Sequence, residues 1–244
     1  EELKIAHDIQ VSMLPEESPE VEGYTIAASS YPAREVGGDF YDFIETGSEE
    51  KKKLGIIVGD VAGKAVSGAL VMAAARSIFR VLADPEASVS DMVLQGNRRL
   101  KYDVKKGMFV ALVYALLDPL EKSMTIVNAG QTQPIICSGR SAEPSYIDTD
   151  GDRFPLGIVD DCDYRETVLT MNSGDTVVLY TDGIVEAMNE AGDMYGFDRF
   201  MEVINQNCQL DAHAFLRQLM ADVTRFVGDA EQHDDLTIVV VKTE

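Results

Sequence analysis

Residues 56–64 read Ile56-Ile57-Val58-Gly59-Asp60-Val61-Ala62-Gly63-Lys64. A short apolar run rich in β-branched residues is the pattern of a strand covered on both faces, so a strand is predicted over 54–60. Upstream, residues 24–30 and 39–45 carry the same β-formers. Glu49-Glu50-Lys51-Lys52-Lys53 lies between the second and third of these runs and reads as a solvated hairpin tip. Downstream, residues 63–82 become alanine-rich, with small residues at Ala65, Gly68, Ala69, Ala73 and Ala74. That composition suits a helix lying close on a sheet. Ser88 or Ser90 caps a second helix reaching about Val104. Further strands are predicted over 108–117, 123–128, 134–138, 164–171 and 175–181, helices over 197–207 and 211–228, and a final strand over 236–242. The strands come in runs joined by hairpin-length gaps, not in βαβα alternation. The fold class is therefore α+β, with antiparallel sheets flanked by helix pairs.

The N-terminus has a different pattern. Leu3, Ala6, Ile9 (or Gln10) and Met13 recur at helical spacing, and Pro15 stops the run. The organisation expected is an amphipathic linker or regulatory helix over 1–15, a Pro- and Glu-rich linker over 16–23, and one domain over 24–244. An isolated helix of this length is marginal in water, so its stripe must dock on something. It is either a fixed cap on its own domain, part of a homodimer interface, or a movable link to an upstream regulatory or sensor domain.

Composition narrows the function. The chain has 244 residues and a formal net charge of −21. A chain this long can bury a core without a disulfide or structural metal. Its negative charge repels phosphate backbones, which disfavours nucleic acid and anionic membranes as partners. No apolar stretch approaches the ~18 residues of a membrane span, and no signal peptide opens the chain. It begins at Glu1 and not Met, as a processed or excised chain would. Cys137, Cys162 and Cys208 form no CxxC pair and cannot all pair with one another, so a reduced, cytoplasmic setting is expected. His7, His213 and His233 are scattered, which disfavours zinc. From Glu143 to Asp198 the basic residues are Arg153 and Arg165 alone. Most of the acids there read as a solvated surface.

Four acidic positions stand in similar settings. Asp39 follows Gly37-Gly38, Asp60 ends the run above, Asp182 ends Val177-Val178-Leu179-Tyr180-Thr181, and Asp234-Asp235 precedes Leu236-Thr237-Ile238-Val239-Val240. A carboxylate at the rim of an apolar sheet is desolvated unless it meets a cation. Adjacent glycines let backbone approach a ligand closely. Any one Asp-Gly reads as a turn, but four such acids together point to a hard divalent cation such as Mg²⁺ or Mn²⁺.

These segments resemble the PPM family of metal-dependent serine/threonine phosphatases (protein phosphatase 2C-like), in its bacterial SpoIIE/RsbU-like branch. The matching stretches are Pro32-Ala33-Arg34-Glu35-Val36-Gly37-Gly38-Asp39-Phe40-Tyr41-Asp42, Gly59-Asp60-Val61-Ala62-Gly63-Lys64, Asn128-Ala129-Gly130, Pro155-Leu156-Gly157, Tyr180-Thr181-Asp182-Gly183-Ile184-Val185-Glu186-Ala187 and Asp234-Asp235-Leu236-Thr237. They stand in the family's order from about residue 9 to 241. The resemblance implies a four-layer α/β/β/α sandwich, two stacked antiparallel sheets with helices outside. It implies two divalent cations, Mn²⁺ or Mg²⁺, at one end. Carried over by motif, Asp60 bridges both metals, the Val61 carbonyl ligates one, and Asp39, Asp182 and Asp234 complete the site. Asp235 falls where the family varies, and Asp42 reads as structural. Asp60 and Asp182 would be the acids on which catalysis depends. Two such cations about 3.5–4 Å apart make hydroxide available for in-line attack on phosphoserine. Arg34, five residues before Asp39, stands where the wider family binds phosphate, and a guanidinium fork suits that role. The substrate implied is a phosphorylated STAS-domain protein in a partner-switching stress or sigma-factor pathway. Ile9-Gln10 and Leu14-Pro15 match the branch's helix leading into the catalytic domain.

The chain departs from the family in four places. Ala65 and Ser67-Gly68 replace a glycine and an alanine pair, Gln131 replaces a histidine, and Ala62 stands where eukaryotic relatives carry a general acid. The alternative proton donors are a metal-bound water and His233 beside Asp234. A phosphate loop is excluded because three residues, not four, separate Gly59 from Gly63-Lys64. A calcium loop at Asp148 fails because Arg153 and Val159 occupy the required Gly and Glu positions. An aspartyl-nucleophile phosphohydrolase needs a different spacing from Asp39-Phe40-Tyr41-Asp42. The remaining alternative is a PPM-fold interaction module with weak or no activity.

Overall fold

In the computed structural model, which describes every residue except Glu49, Lys64, Lys106 and 140–142, the run 54–60 lies inside β3 (Lys53–Val61). It pairs antiparallel with β2 (Phe40–Thr46) on one side and β4 (Val110–Asp118) on the other. β5 (Ser123–Ala129) and β8 (Thr167–Thr170) complete this sheet in the order β2-β3-β4-β5-β8. The second sheet contains β1 (Tyr24–Tyr31), β6 (Ile135–Cys137), β7 (Pro144–Tyr146), β9 (Thr176–Tyr180) and β10 (Leu236–Thr243), in the order β1-β10-β9-β6-β7. The pairing of β2 with β3 from Phe40↔Gly59 to Thr46↔Lys53 fits a hairpin, and the Glu49 part of its expected tip lies outside the described residues.

Side-chain alternation explains why β3 has no polar face. Ile56 and Val58 point into a central apolar layer with Val113 and Ala115 of β4, Leu179 of β9, and Val239 and Val241 of β10. Ile57 and Val61 point the other way, onto Met72 and Phe79 of α2 (Val66–Leu82) and Leu100 of α3 (Val89–Asp103). On the far side, Val178, Tyr180, Ile238 and Val240 meet Phe200 of α5 (Phe197–Asn207) and Phe215 of α6 (Ala212–Val227). Three apolar layers between four layers of secondary structure make the α/β/β/α sandwich. The central strands β3, β4, β9 and β10 are buried on both faces, as a continuous β-branched run requires.

Several boundaries differ from the sequence reading. The first outer helix begins at Val66 because Ala65 has φ 52°. Tyr164 stands before β8, in an isolated bridge to Gly151. β7 and the one-turn α4 (Gly183–Glu186) carry no sequence periodicity and escaped prediction. Asp42 is structural, as expected. It is fully buried, accepts from Arg80 Nε at 2.6 Å and Nη2 at 2.7 Å, and pairs with Arg76 at 3.2 Å.

The cysteine expectation is corrected. Cys137 at the end of β6 and Cys208 at the C-cap of α5 form a disulfide, with Cα atoms 6.2 Å apart, and Cys162 is free and buried. A separation of 71 residues left no local motif to read. The helix stripe is also corrected in part. In α1 (Glu2–Met13), Leu3 and Ile9 are exposed, and the buried residue is the polar Gln10. Among the described residues, no helix is long and apolar enough to cross a membrane.

Candidate metal centre

Strand register assembles the acids. Phe40 pairs with Gly59, which sets Asp39 beside Asp60 at one end of the first sheet. Ile238 pairs with Tyr180, which sets Thr181-Asp182 beside the residues that open β10 at the same end of the second sheet. Asp234 and Asp235 precede β10 directly. One rim of the sandwich thus collects acids from positions nearly 200 residues apart.

Thr181 joins the two sheets at this rim. Its Oγ1 donates to Asp39 Oδ2 at 2.6 Å and accepts from Thr237 N at 3.1 Å. Sequence reading did not single out this threonine. Its place in the Tyr-Thr-Asp-Gly stretch was the available signal.

Asp235 organises the loop before β2. Its Oδ1 accepts from Ala33 N at 2.7 Å, and its Oδ2 accepts from Gly38 N at 2.8 Å and Asp39 N at 3.3 Å. The carboxylate is 8% exposed, with its oxygens engaged by main chain. Asp234 is exposed, and its Oδ1 accepts from Asp235 N at 2.9 Å. Gly38 is required for space, since a Cβ there would lie 2.7 Å from the Val61 carbonyl oxygen and 3.2 Å from Asp60 Oδ1. Its absence leaves the acid and the carbonyl accessible together.

The electrostatics record the crowding. Burial pushes the Asp60 carboxyl up to about 7. Asp182, Asp234 and Asp235 add like-charge repulsion, against a hydrogen bond with Asp39 that lowers it. Burial raises Asp39 well above the usual carboxylate range, and Asp60 reinforces the shift. Partial desolvation of its carboxyl raises Asp234 too, and repulsion from Asp182 and Asp235 adds to it. Among the described residues, no three such side chains are arranged to hold one ion as they stand. The donor chemistry nevertheless fits a hard divalent cation. The donors are all oxygen, most are desolvated, and their mutual repulsion is what a cation would offset.

Beside these acids lies a cavity of about 300 Å³, bordered by Arg34, Gly38, Asp60, Val61, Asp234 and Asp235. Arg34 and His233 are exposed at its edge. Asp182 is not on its wall, though its charge acts on Asp60. Lys64 lies outside the described residues. Gln131 closes a turn, with its N–H donating to Asn128 Oδ1 at 2.8 Å while Asn128 Nδ2 donates to the Gln131 carbonyl at 3.0 Å. Main-chain geometry therefore accounts for the Asn-Ala-Gly-Gln stretch.

The family model described as Stage II sporulation protein E (SpoIIE) matches residues 50–244. Phosphoserine phosphatase RsbU of Bacillus subtilis is 26% identical over 241 residues, covering 99% of this chain and 70% of that protein. Protein IcfG of Synechocystis is 25% identical over 268 residues, and this chain spans 41% of its length. Among solved structures, the SiaA-PP2C domain of Pseudomonas aeruginosa superposes with a TM-score of 0.81 at 22% identity, covering 100% of this chain and 95% of that one. The phosphatase domain of SpoIIE from Bacillus subtilis, solved with a fragment of its regulatory domain, gives 0.74 at 17% identity, covering 90% and 63%. With the acid-lined rim and the four-layer sandwich, these matches establish that the chain belongs to the SpoIIE/RsbU-like branch of the PPM (protein phosphatase 2C-like) family.

Proposed function

We propose that the chain is a Mg²⁺- or Mn²⁺-dependent protein serine/threonine phosphatase. The observation that carries this reading is the convergence of Asp39, Asp60, Asp182 and Asp234 on one rim, with the Asp60 carboxyl held near 7 by burial and by its neighbours. Asp60, with the Val61 carbonyl, Asp39, Asp182 and Asp234, would hold two divalent cations, and Asp235 would act by fixing the loop that carries Gly38 and Asp39. When bound, such cations acidify water and offset charge on phosphoryl oxygens. Arg34 would fork onto the phosphate from the cavity edge. His233, exposed beside Asp234, is the side chain available to protonate the leaving serine, since position 62 is Ala62.

The substrate, carried over from the family resemblance, is a phosphorylated STAS-type regulatory protein in a partner-switching pathway. The names of RsbU and RsbP, both phosphoserine phosphatases, support the reaction class. The chain spans 70% of RsbU and under half of RsbP, which leaves room in those proteins for further segments. Leu3, Ile5, Ile9 and Val11 are all exposed on α1, which supports a second copy or an upstream regulatory domain as the partner of that face.

Hydrolysis of p-nitrophenyl phosphate in parallel with EDTA, Mg²⁺ and Mn²⁺ tests the reading. Turnover that requires the metal supports it. No turnover under any condition favours the inactive interaction module, and turnover in EDTA overturns the metal assignment.

A further inference from the structure

We infer that the hollow next to the acid cavity is a subsite for a lysine or arginine flanking the phosphorylated residue of a protein substrate. This rests on the phosphatase reading and adds the class of sequence that such an enzyme selects.

His233 and Asp234 border both the acid cavity and a second cavity of about 180 Å³. The two hollows are therefore neighbours across one ridge. Val223 and Val227 of α6 and Leu236 of β10 supply aliphatic wall to the second cavity. Glu186 and Glu231 supply acids, besides Asp234 of the candidate metal centre. Both are exposed, and no lysine or arginine is among the described lining residues.

A lining of aliphatic wall and acidic edge matches one kind of side chain, a methylene stem carrying a cationic head. A purely apolar side chain would leave the carboxylates unanswered, and an acidic one would be repelled. The wider field favours the same occupant. A doubly charged phosphate must approach a chain of net charge −21, and a cation a few residues away offsets that repulsion and fixes the register of docking. An extended segment advances about 3.3 Å per residue, so three residues on either side of the phosphoserine reach about 10 Å.

The test uses phosphoserine peptides in which lysine is walked across three positions on either side, each compared with norleucine and glutamate at that position. Activity on p-nitrophenyl phosphate with Mn²⁺ is measured in the same samples. At one position lysine should exceed norleucine in kcat/KM by roughly fivefold, the upper range for a partly exposed ion pair, and glutamate should fall below both. Glu231→Gln removes a rim charge, and Thr224→Arg places a competing cation at the same rim. Each should bring lysine and norleucine together while leaving p-nitrophenyl phosphate turnover unchanged. Equal rates for lysine and norleucine at every position, or a preference that survives both variants, overturns the subsite. Absence of p-nitrophenyl phosphate turnover overturns the phosphatase reading, and the subsite with it.

Discussion

Gln10 holds Gly37 by both of its main-chain polar groups. Gln10 Nε2 donates to the Gly37 carbonyl at 2.8 Å, and Gly37 N donates to Gln10 Oε1 at 3.1 Å. The next residue, Gly38, gives its N–H to Asp235. One loop, 37–39, is thus bracketed by the N-terminal helix on one side and by an acid of the candidate metal centre on the other. The fixed amide geometry of glutamine closes this two-point clamp, which no aliphatic residue at position 10 can form.

Gln10→Ala should loosen that loop without touching an acid. Two hydrogen bonds to buried main chain are lost, each leaving a polar group whose desolvation costs about 1–3 kcal/mol. The expected outcome is a several-fold rise in the Mn²⁺ concentration giving half-maximal activity, with a smaller change in kcat at saturating metal. Deleting residues 1–14 should act in the same direction. A metal titration indistinguishable from the parent chain in both variants would make α1 a passive cap.

Asp60→Asn should abolish turnover and yet stabilise the metal-free protein. The Asp60 carboxyl rises from its ordinary value to about 7 on folding. The folded state therefore binds its proton more tightly than the unfolded state. This acid thus destabilises the metal-free fold progressively as pH rises from about 4 to about 7. Asn removes that penalty. Thermal melts in EDTA at pH 5 and pH 8 check this, with the variant gaining clearly more over the parent chain at pH 8 than at pH 5. A loss of stability at pH 8 would contradict the crowded-acid account. Asp182→Asn should also abolish turnover, by removing a carboxylate that would hold the cations.

The same proton governs metal uptake. Below about 7 a cation must displace it from Asp60, so Mn²⁺ affinity should rise with pH up to that region and then flatten. Isothermal titration at pH 6, 7 and 8 measures this, together with proton release that shrinks as pH rises. Activity should follow along a single limb into the neutral-to-alkaline range.

Asp42→Asn tests the structural reading of the second aspartate in the Asp39-Phe40-Tyr41-Asp42 stretch. It leaves Arg76 and Arg80 beside a neutral, fully buried amide. Breaking a buried pair by removing one partner costs about 3 kcal/mol or more. Stability should fall sharply by denaturant melt, while the Mn²⁺ requirement of the folded fraction stays that of the parent chain. An altered metal requirement would instead draw Asp42 into the metal site.

The Cys137–Cys208 link closes a 71-residue span, for which chain-entropy arguments give about 4 kcal/mol. In oxidising buffer the protein should melt several degrees higher than in excess reductant, and Cys137→Ser should abolish the difference. A melting point insensitive to reductant would mean that the two thiols are unpaired in solution.

Much of the fold was legible because its cause is local. Doubly buried strands need unbroken β-branched runs, which residues 54–60 and 236–242 display. Of the small residues read in the first outer helix, Gly68 is buried against Gly63, whereas Ala75, which packs in the core, was not singled out. The acids at strand ends were legible as a set because each follows or precedes such a run directly. The residue pattern by itself therefore determined an α+β chain of antiparallel sheets with carboxylates at strand ends, and the four-layer sandwich followed from the family resemblance. The grouping of those carboxylates depended on the strand pairings Phe40↔Gly59 and Ile238↔Tyr180, which bring distant segments to one edge. Only the tertiary structure decided that Thr181 bridges the sheets, that Asp235 serves main-chain N–H groups, that Gln10 is the buried residue of its helix, and that Cys137 meets Cys208. Each of these depends on a partner far away in the chain, and periodicity carries information only about neighbours a few residues apart.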